Sequence, residues 1–139
     1  MNRLTDRCYI RLQGVHPDLV RVIEHARALG EIDFIVTEGL RTPERQAQLL
    51  RAGASQTLRS RHLTGHAVDL AVRVDGEVRW DWPLYERLAE LVKRAAKSLT
   101  PPVPIEAGAD WPRFRDGPHF QLPRSLYPDR TDTITQNVA

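Results

Sequence analysis

The chain has 139 residues, 41% of them hydrophobic and 27% charged, a length and balance that suit one folded domain and exclude a disordered chain. Its single cysteine, Cys8, excludes an internal disulfide and a four-cysteine zinc site, so any metal must rest on His, Asp or Glu. A net charge of +2 with no basic run is too small to argue for nucleic-acid binding and suits an anionic surface only mildly.

HPDLVRVIEHARALG, residues 16–30, predicts a helix with Pro17 in its first turn, an apolar stripe of Leu19, Ile23 and Ala26, and Gly30 at its end. DFIVTEG, 33–39, predicts a short strand. TPERQAQLLRAG, 42–53, predicts a second helix with Thr42 as N-cap, Pro43 at its first position and Gly53 as its stop. AVDLAVRV, 67–74, alternates, with Val68, Leu70, Val72 and Val74 on one face and Asp69 and Arg73 on the other. Asp75-Gly76 then turns the chain into EVRW. DWPLYERLAELVKRAAKS, 81–98, predicts the longest helix, with Leu84, Leu88, Leu91 and Ala95 on one side. Trp80 and Trp82 are expected to pack in the core or hairpin. TPPVP breaks that helix, and VPIE and PHFQL are the last strand candidates. The expectation is one α+β domain over residues 1–139, with a core at about 14–123, a central antiparallel or mixed sheet flanked by helices, and a polar, loosely held tail at 124–139. No stretch approaches the roughly 20 apolar residues of a membrane helix. The N-terminal segment lacks an apolar signal-peptide core, which implies a start in the cytoplasm.

The chemistry concentrates in SRHLTGHAVDL, residues 60–70, and DGPHFQL, residues 116–122. Phe120 and Leu122 belong to a core face, so His119 faces the other way, as does Asp69. If the two strands pair, Asp69 and His119 share an open face that a histidine from the preceding loop can reach. Two neutral imidazoles and a carboxylate leave one tetrahedral position open, the make-up of a catalytic zinc site. Spacing alone leaves open whether His62 or His66 is the second imidazole. Their separation of four also occurs in the helical HExxH motif, but Leu63 stands where that motif needs Glu. Asp116, three residues before His119, is either an ordinary turn aspartate or a proton shuttle. Arg41 is either a solvated loop charge or a clamp for a carbonyl oxygen. Trp111 is a candidate cleft wall. His16 and His25 read as cap or surface residues.

SRHLTGHAVDL resembles the SxHxxGxAxD signature of the zinc D-alanyl-D-alanine carboxypeptidase and dipeptidase superfamily. DGPHFQL is similar to its second signature, and EGLRTPERQ to its arginine-and-glutamine segment. With HPDLV, TEGLRT, WDWP and DGPHF in order, residues 14–123 most resemble the phage endolysins that are L-alanyl-D-glutamate peptidases. The resemblance implies a Hedgehog/DD-peptidase-like fold and one catalytic Zn2+ on His62, Asp69 and His119. It implies Asp116 as general base, Arg41 at the oxyanion, and Gln46, Ser60, Asp110 and Trp111 around the substrate. It also implies peptidoglycan stem peptides as substrate, a monomer with no nucleic-acid or membrane partner, and residence in the host cytoplasm until a holin opens the way to the wall. The alternatives are a D,D-carboxypeptidase of the same fold and a non-catalytic wall-binding module. One departure stands out: relatives commonly read WGGDW where this chain reads AGADW, with Ala107 and Ala109 in place of Trp and Gly.

Overall fold

Capping chemistry sets the helix boundaries in the computed structural model, which describes residues 3–55, 57 and 59–129. The elements in chain order are α1 (Asp6–Arg11), α2 (Pro17–Leu29), β1 (Phe34–Glu38), α3 (Pro43–Arg51), β2 (Ala67–Val74), β3 (Glu77–Arg79), α4 (Trp82–Ser98), β4 (Glu106–Ala107) and β5 (His119–Gln121). His16 caps α2 by accepting the Asp18 N–H on Nδ1 at 3.0 Å, and Gly30 ends that helix in the left-handed region. Thr42 caps α3 by accepting from the Arg45 N–H at 3.1 Å. Helix α1 is absent from the sequence expectations, because six residues are too few to display a helical period. It nonetheless adds Leu4, Cys8 and Leu12, with the residues flanking it, to the core.

Every strand pairing is antiparallel, in the order β1-β2-β5-β4, with β3 paired to β2 beyond the Asp75-Gly76 turn. One face of this sheet, with Phe34, Val36, Val68, Leu70, Val72, Phe120 and Leu122, is sealed by α2 and α4. Leu88, Leu91 and Val92 of α4 meet Leu19, Val22 and Ile23 of α2 there, each leucine contributing roughly 1.5–3 kcal/mol by its burial. Tyr85 is buried among them. Its hydroxyl donates to the Arg79 carbonyl at 2.8 Å and accepts from the Val72 N–H at 3.0 Å, which pins α4 to the β2–β3 hairpin.

Three expectations need correction. Of the two places expected for Trp80, the core is ruled out: it is 62% exposed and stacks over the Tyr85 ring from outside, at the end of the hairpin. Val74 is exposed where β2 runs into the turn. Residues 124–129 are held, not loose: the Tyr127 hydroxyl donates to Asp18, while buried Arg61 donates to the Leu122 and Tyr127 carbonyls and pairs with Asp129 at 2.9 Å. The rest of the expected tail lies outside the described residues. Among those described, no helix is long and apolar enough to cross a membrane.

Candidate metal centre

Sheet register builds the site. Asp69 on β2 lies opposite His119 on β5 and opposite Glu38 on β1, so three polar residues form a row across three strands. Directly opposed residues of antiparallel strands share a face, with Cβ atoms about 4.5–5.5 Å apart. Glu38 joins the row through a β-bulge: Val36 opposes Leu70, yet Glu38 opposes Asp69. Without the extra residue, Glu38 would keep the parity of Phe34 and Val36 and turn into the core.

His62 arrives from a single 3₁₀ turn, Arg61–Thr64, whose N-cap Ser60 accepts the His62 N–H at 3.2 Å. Gly65 ends that turn at φ 76°, where a Cβ would stand 2.2 Å from the Gly14 carbonyl oxygen, so only glycine fits. His62 Nε2 lies 3.2 Å, and His119 Nδ1 3.4 Å, from the same Asp69 oxygen, Oδ1. One ligand atom from each of the three residues falls within 4.8 Å of the others. His66 takes no part in this cluster.

The outer nitrogens fix the tautomers. His62 Nδ1 faces the Gly39 carbonyl at 2.8 Å, and a carbonyl only accepts, so Nδ1 carries the proton and Nε2 keeps a lone pair. His119 Nε2 faces Gln121 Oε1 at 2.7 Å. The Gln121 amide cannot be reversed, because its nitrogen donates to the Glu106 carboxylate at 2.8 Å. His119 therefore keeps its lone pair on Nδ1. Two imidazole lone pairs and a carboxylate oxygen converge, each ring oriented from behind by an acceptor, which is the arrangement protein metal sites use. The donor set fits a borderline ion such as zinc.

Burial alone would raise the Asp69 carboxyl, but the His119 and His62 rings, which donate to it in their protonated, ion-free form, outweigh burial and hold Asp69 well below the usual carboxylate range. Burial alone would lower His119, and the Asp69 carboxylate reverses that, leaving it raised. Asp116 goes the other way from Asp69: burial, then the nearby Asp69 charge, raise its carboxyl.

Arg41 is 8% exposed and is no solvated loop charge. Its Nε and Nη2 both bond the Glu38 carboxylate at 2.8 Å, its Nη1 donates to Gln46 Oε1 at 2.7 Å, and Nη2 stands 3.6 Å from Asp69. Three of its five N–H groups are thereby used, leaving one on each Nη. Gln46 is 1% exposed and sits behind Arg41, with its own amide nitrogen donating to Ser55 Oγ at 2.8 Å.

These groups open into a cavity of about 990 Å³, lined among others by Arg41, Ser60, His62, Asp69, Trp111, Asp116 and His119. Asp116 is held by its N–H donating to the Gly108 carbonyl at 3.0 Å, and a Cβ on Gly108 would meet the Asp116 carbonyl oxygen at 2.3 Å. The Trp111 ring lies 5.0 Å from the His119 ring. Asp110 departs from expectation: it is 53% exposed at its side chain, pairs with Lys93 at 2.6 Å and does not line the cavity. Ala107 and Ala109, the departures in that loop, are buried. Sequence reasoning missed Glu38 and the pairing of Gln121 with His119. The first had a signal, an acid three residues before Arg41 at a strand end; the second depends on β4–β5 register.

This small antiparallel α+β fold recurs in solved peptidases. The structure of the D,D-dipeptidase VanXYg shares it at TM-score 0.50 and 19% identity, over 90% of this chain and 55% of that one. The Serratia marcescens L-Ala D-Glu endopeptidase ChiX superposes with TM-score 0.83 at 50% identity, over 91% of this chain and 93% of that one. The L-alanyl-D-glutamate peptidase of Escherichia phage T5 is 31% identical over 121 residues, 84% of this chain and 86% of its own length. Residues 1–122 match the phage L-alanyl-D-glutamate peptidase family, and the chain belongs to it.

Proposed function

We propose that this protein is a zinc-dependent endopeptidase, in one catalytic domain, that cuts peptidoglycan stem peptides between L-alanine and D-glutamate. The observation that carries this reading is the convergence of His62, Asp69 and His119 in one cavity with Asp116 and Arg41, in a chain 50% identical to ChiX over 91% of its length. His62 Nε2, His119 Nδ1 and an Asp69 oxygen would hold the ion. A zinc ion there supplies Lewis acidity to the scissile carbonyl and makes water acidic enough to attack near neutral pH.

The chain's own residues do the rest. Asp116 takes the proton from the attacking water and returns it to the leaving amine. Arg41, clamped by Glu38 and Gln46, turns its remaining Nη donors toward the oxygen on which negative charge develops. Gln46 and Ser60 act by positioning Arg41 and His62, and Trp111 walls the cleft. Two of the relatives come from phages, which supports a role in host lysis; in this reading a monomer waits in the host cytoplasm until a holin gives access to the wall.

The test is mass spectrometry of purified peptidoglycan after digestion, with and without a zinc chelator. Fragments ending in L-alanine, paired with peptides bearing a free D-glutamate amine and lost on chelation, are expected. Release of terminal D-alanine alone would make it a D,D-carboxypeptidase, and no metal-dependent cut would leave only a wall-binding module.

A further inference from the structure

The cavity is lined by six arginines, Arg41, Arg59, Arg61, Arg113, Arg115 and Arg124, and their partners separate them. Arg41 is taken by Glu38, Arg61 by Asp129 and two carbonyls, and Arg124 lies 3.7 Å from Asp129 and bonds the Arg59 carbonyl. Arg59 and Arg113 have no side-chain hydrogen bond or ion pair among the described residues.

Arg115 combines the two conditions. Its guanidinium lies over the Trp82 ring, 4.4 Å from the centroid, and its Nε donates to the Ala109 carbonyl at 3.2 Å. Both Nη groups are without a hydrogen-bond partner or carboxylate among the described residues. The fork is held still, yet its outer edge is open to the cavity, the state in which a guanidinium binds a carboxylate at least entropic cost.

The proposed substrate carries such a group near its scissile bond. Glutamate has two carboxyls and continues a chain through one, so the residue whose amine leaves retains a free carboxylate close to the scissile bond. The leaving amine is on the Asp116 side, and Arg115 is the neighbour of Asp116 in the chain. We propose that Arg115, steadied by Trp82 and the Ala109 carbonyl, forms a carboxylate subsite on the leaving-group side that selects stem peptides whose glutamyl residue is a free acid over those in which it is an amide. This rests on the endopeptidase reading.

The zinc-loaded full chain should be given two synthetic peptides containing the L-Ala–D-Glu bond, identical except that the free glutamyl carboxylate of one is a carboxamide in the other. The wild type is expected to favour the acid by about 10- to 100-fold in kcat/KM, the range of a lost charged hydrogen bond, with most of the difference in KM. Arg115→Gln should bring the ratio toward one, and Arg115→Lys, which keeps charge but loses the fork, should fall between. Equal cleavage of both peptides by the wild type, which needs no variant to fold, would overturn the subsite and leave the endopeptidase standing. A ratio unchanged in Arg115→Gln would overturn the assignment to Arg115. Cleavage of neither peptide would remove the proposed function and the subsite with it.

Discussion

Two pairs of histidine rings meet in this domain, and their surroundings drive one ring of each pair in opposite directions. His62 and His119 stand edge to face at 5.1 Å with an Asp69 oxygen between their inner nitrogens. His16 and His66 lie 5.8 Å apart beside the Tyr127 ring, and His66 Nδ1 bonds the Thr64 hydroxyl at 2.6 Å. Both His119 and His66 are buried, which favours the neutral ring. At His119 the carboxylate overrides burial and the pKa rises; at His66 burial, joined by the Arg61 and His16 charges, pushes it down to about 4. Two close histidines therefore do not define a metal site. An inner carboxylate and an acceptor behind each ring do.

The strongest way to break that comparison is to remove the carboxylate. Asp69→Asn should lose zinc, measured by elemental analysis of the purified protein, and activity should fall on the order of 10³-fold or more, because the Lewis acid and the acidified water leave with the ion. His66→Gln should keep its zinc. Tight zinc in Asp69→Asn, or loss of zinc in His66→Gln, would show that the two pairs have been assigned the wrong way round. The next effect in size separates holding the ion from moving the proton. Asp116→Asn should retain zinc while kcat falls about 10²- to 10⁴-fold. Normal turnover in that variant would remove Asp116 from the mechanism.

A smaller effect tests the acceptor behind His119. Gln121→Ala should weaken zinc binding by about 10- to 100-fold in a competition with a chelator, and Gln121→Glu, which preserves an acceptor, should recover much of it. Glu106→Gln, one step further out, should weaken zinc less than Gln121→Ala. Equal affinity in wild type and Gln121→Ala would mean that β5 alone orients the ring.

What could be read in the sequence divides along the same line. Asp69 and His119 were legible because strand alternation is local: their apolar neighbours assign them to the opposite face whatever the strands pair with. The choice of His62 over His66 was not legible from spacing, since it depends on where a 3₁₀ turn and Gly65 aim each ring; only the resemblance decided it. Glu38 was hidden by a bulge that changes its parity, and Gln121 by the register that sets it opposite Glu106. Asp110 was misassigned because it belongs to the WGGDW-like segment by sequence while Lys93, a residue of α4, takes its carboxylate away from the cavity. Residues 124–129 read as loose because a polar segment gives no periodic signal, whereas what holds it is Arg61, a buried cation 61 residues earlier than the Leu122 carbonyl it bonds.

The smallest effect concerns stability and belongs to the second histidine pair. His66 is 7% exposed and neutral in the fold, with its protonation pushed from the ordinary 6.5 to about 4. Between those values the unfolded chain binds a proton at this ring that the folded chain refuses. The unfolded state therefore gains, and stability falls as pH drops through that window; above pH 6.5 the penalty is absent. The full shift corresponds to about 3 kcal/mol, or roughly 10 °C in Tm for a domain of this size. Asp116, whose pKa is raised, contributes with the opposite sign from the ordinary carboxylate range upward, and Asp69, whose pKa is lowered, acts at lower pH. The informative quantity is thus the difference between wild type and His66→Gln, in which both carboxylates are common. Thermal melts of the two proteins at pH 7.5 and pH 4.5 should show a steeper acid loss in the wild type, with the variant losing several degrees less. Parallel loss in both would mean that the ring is protonated within the fold, beside Arg61 and His16, and that the contrast between the two pairs rests on metal ligation alone.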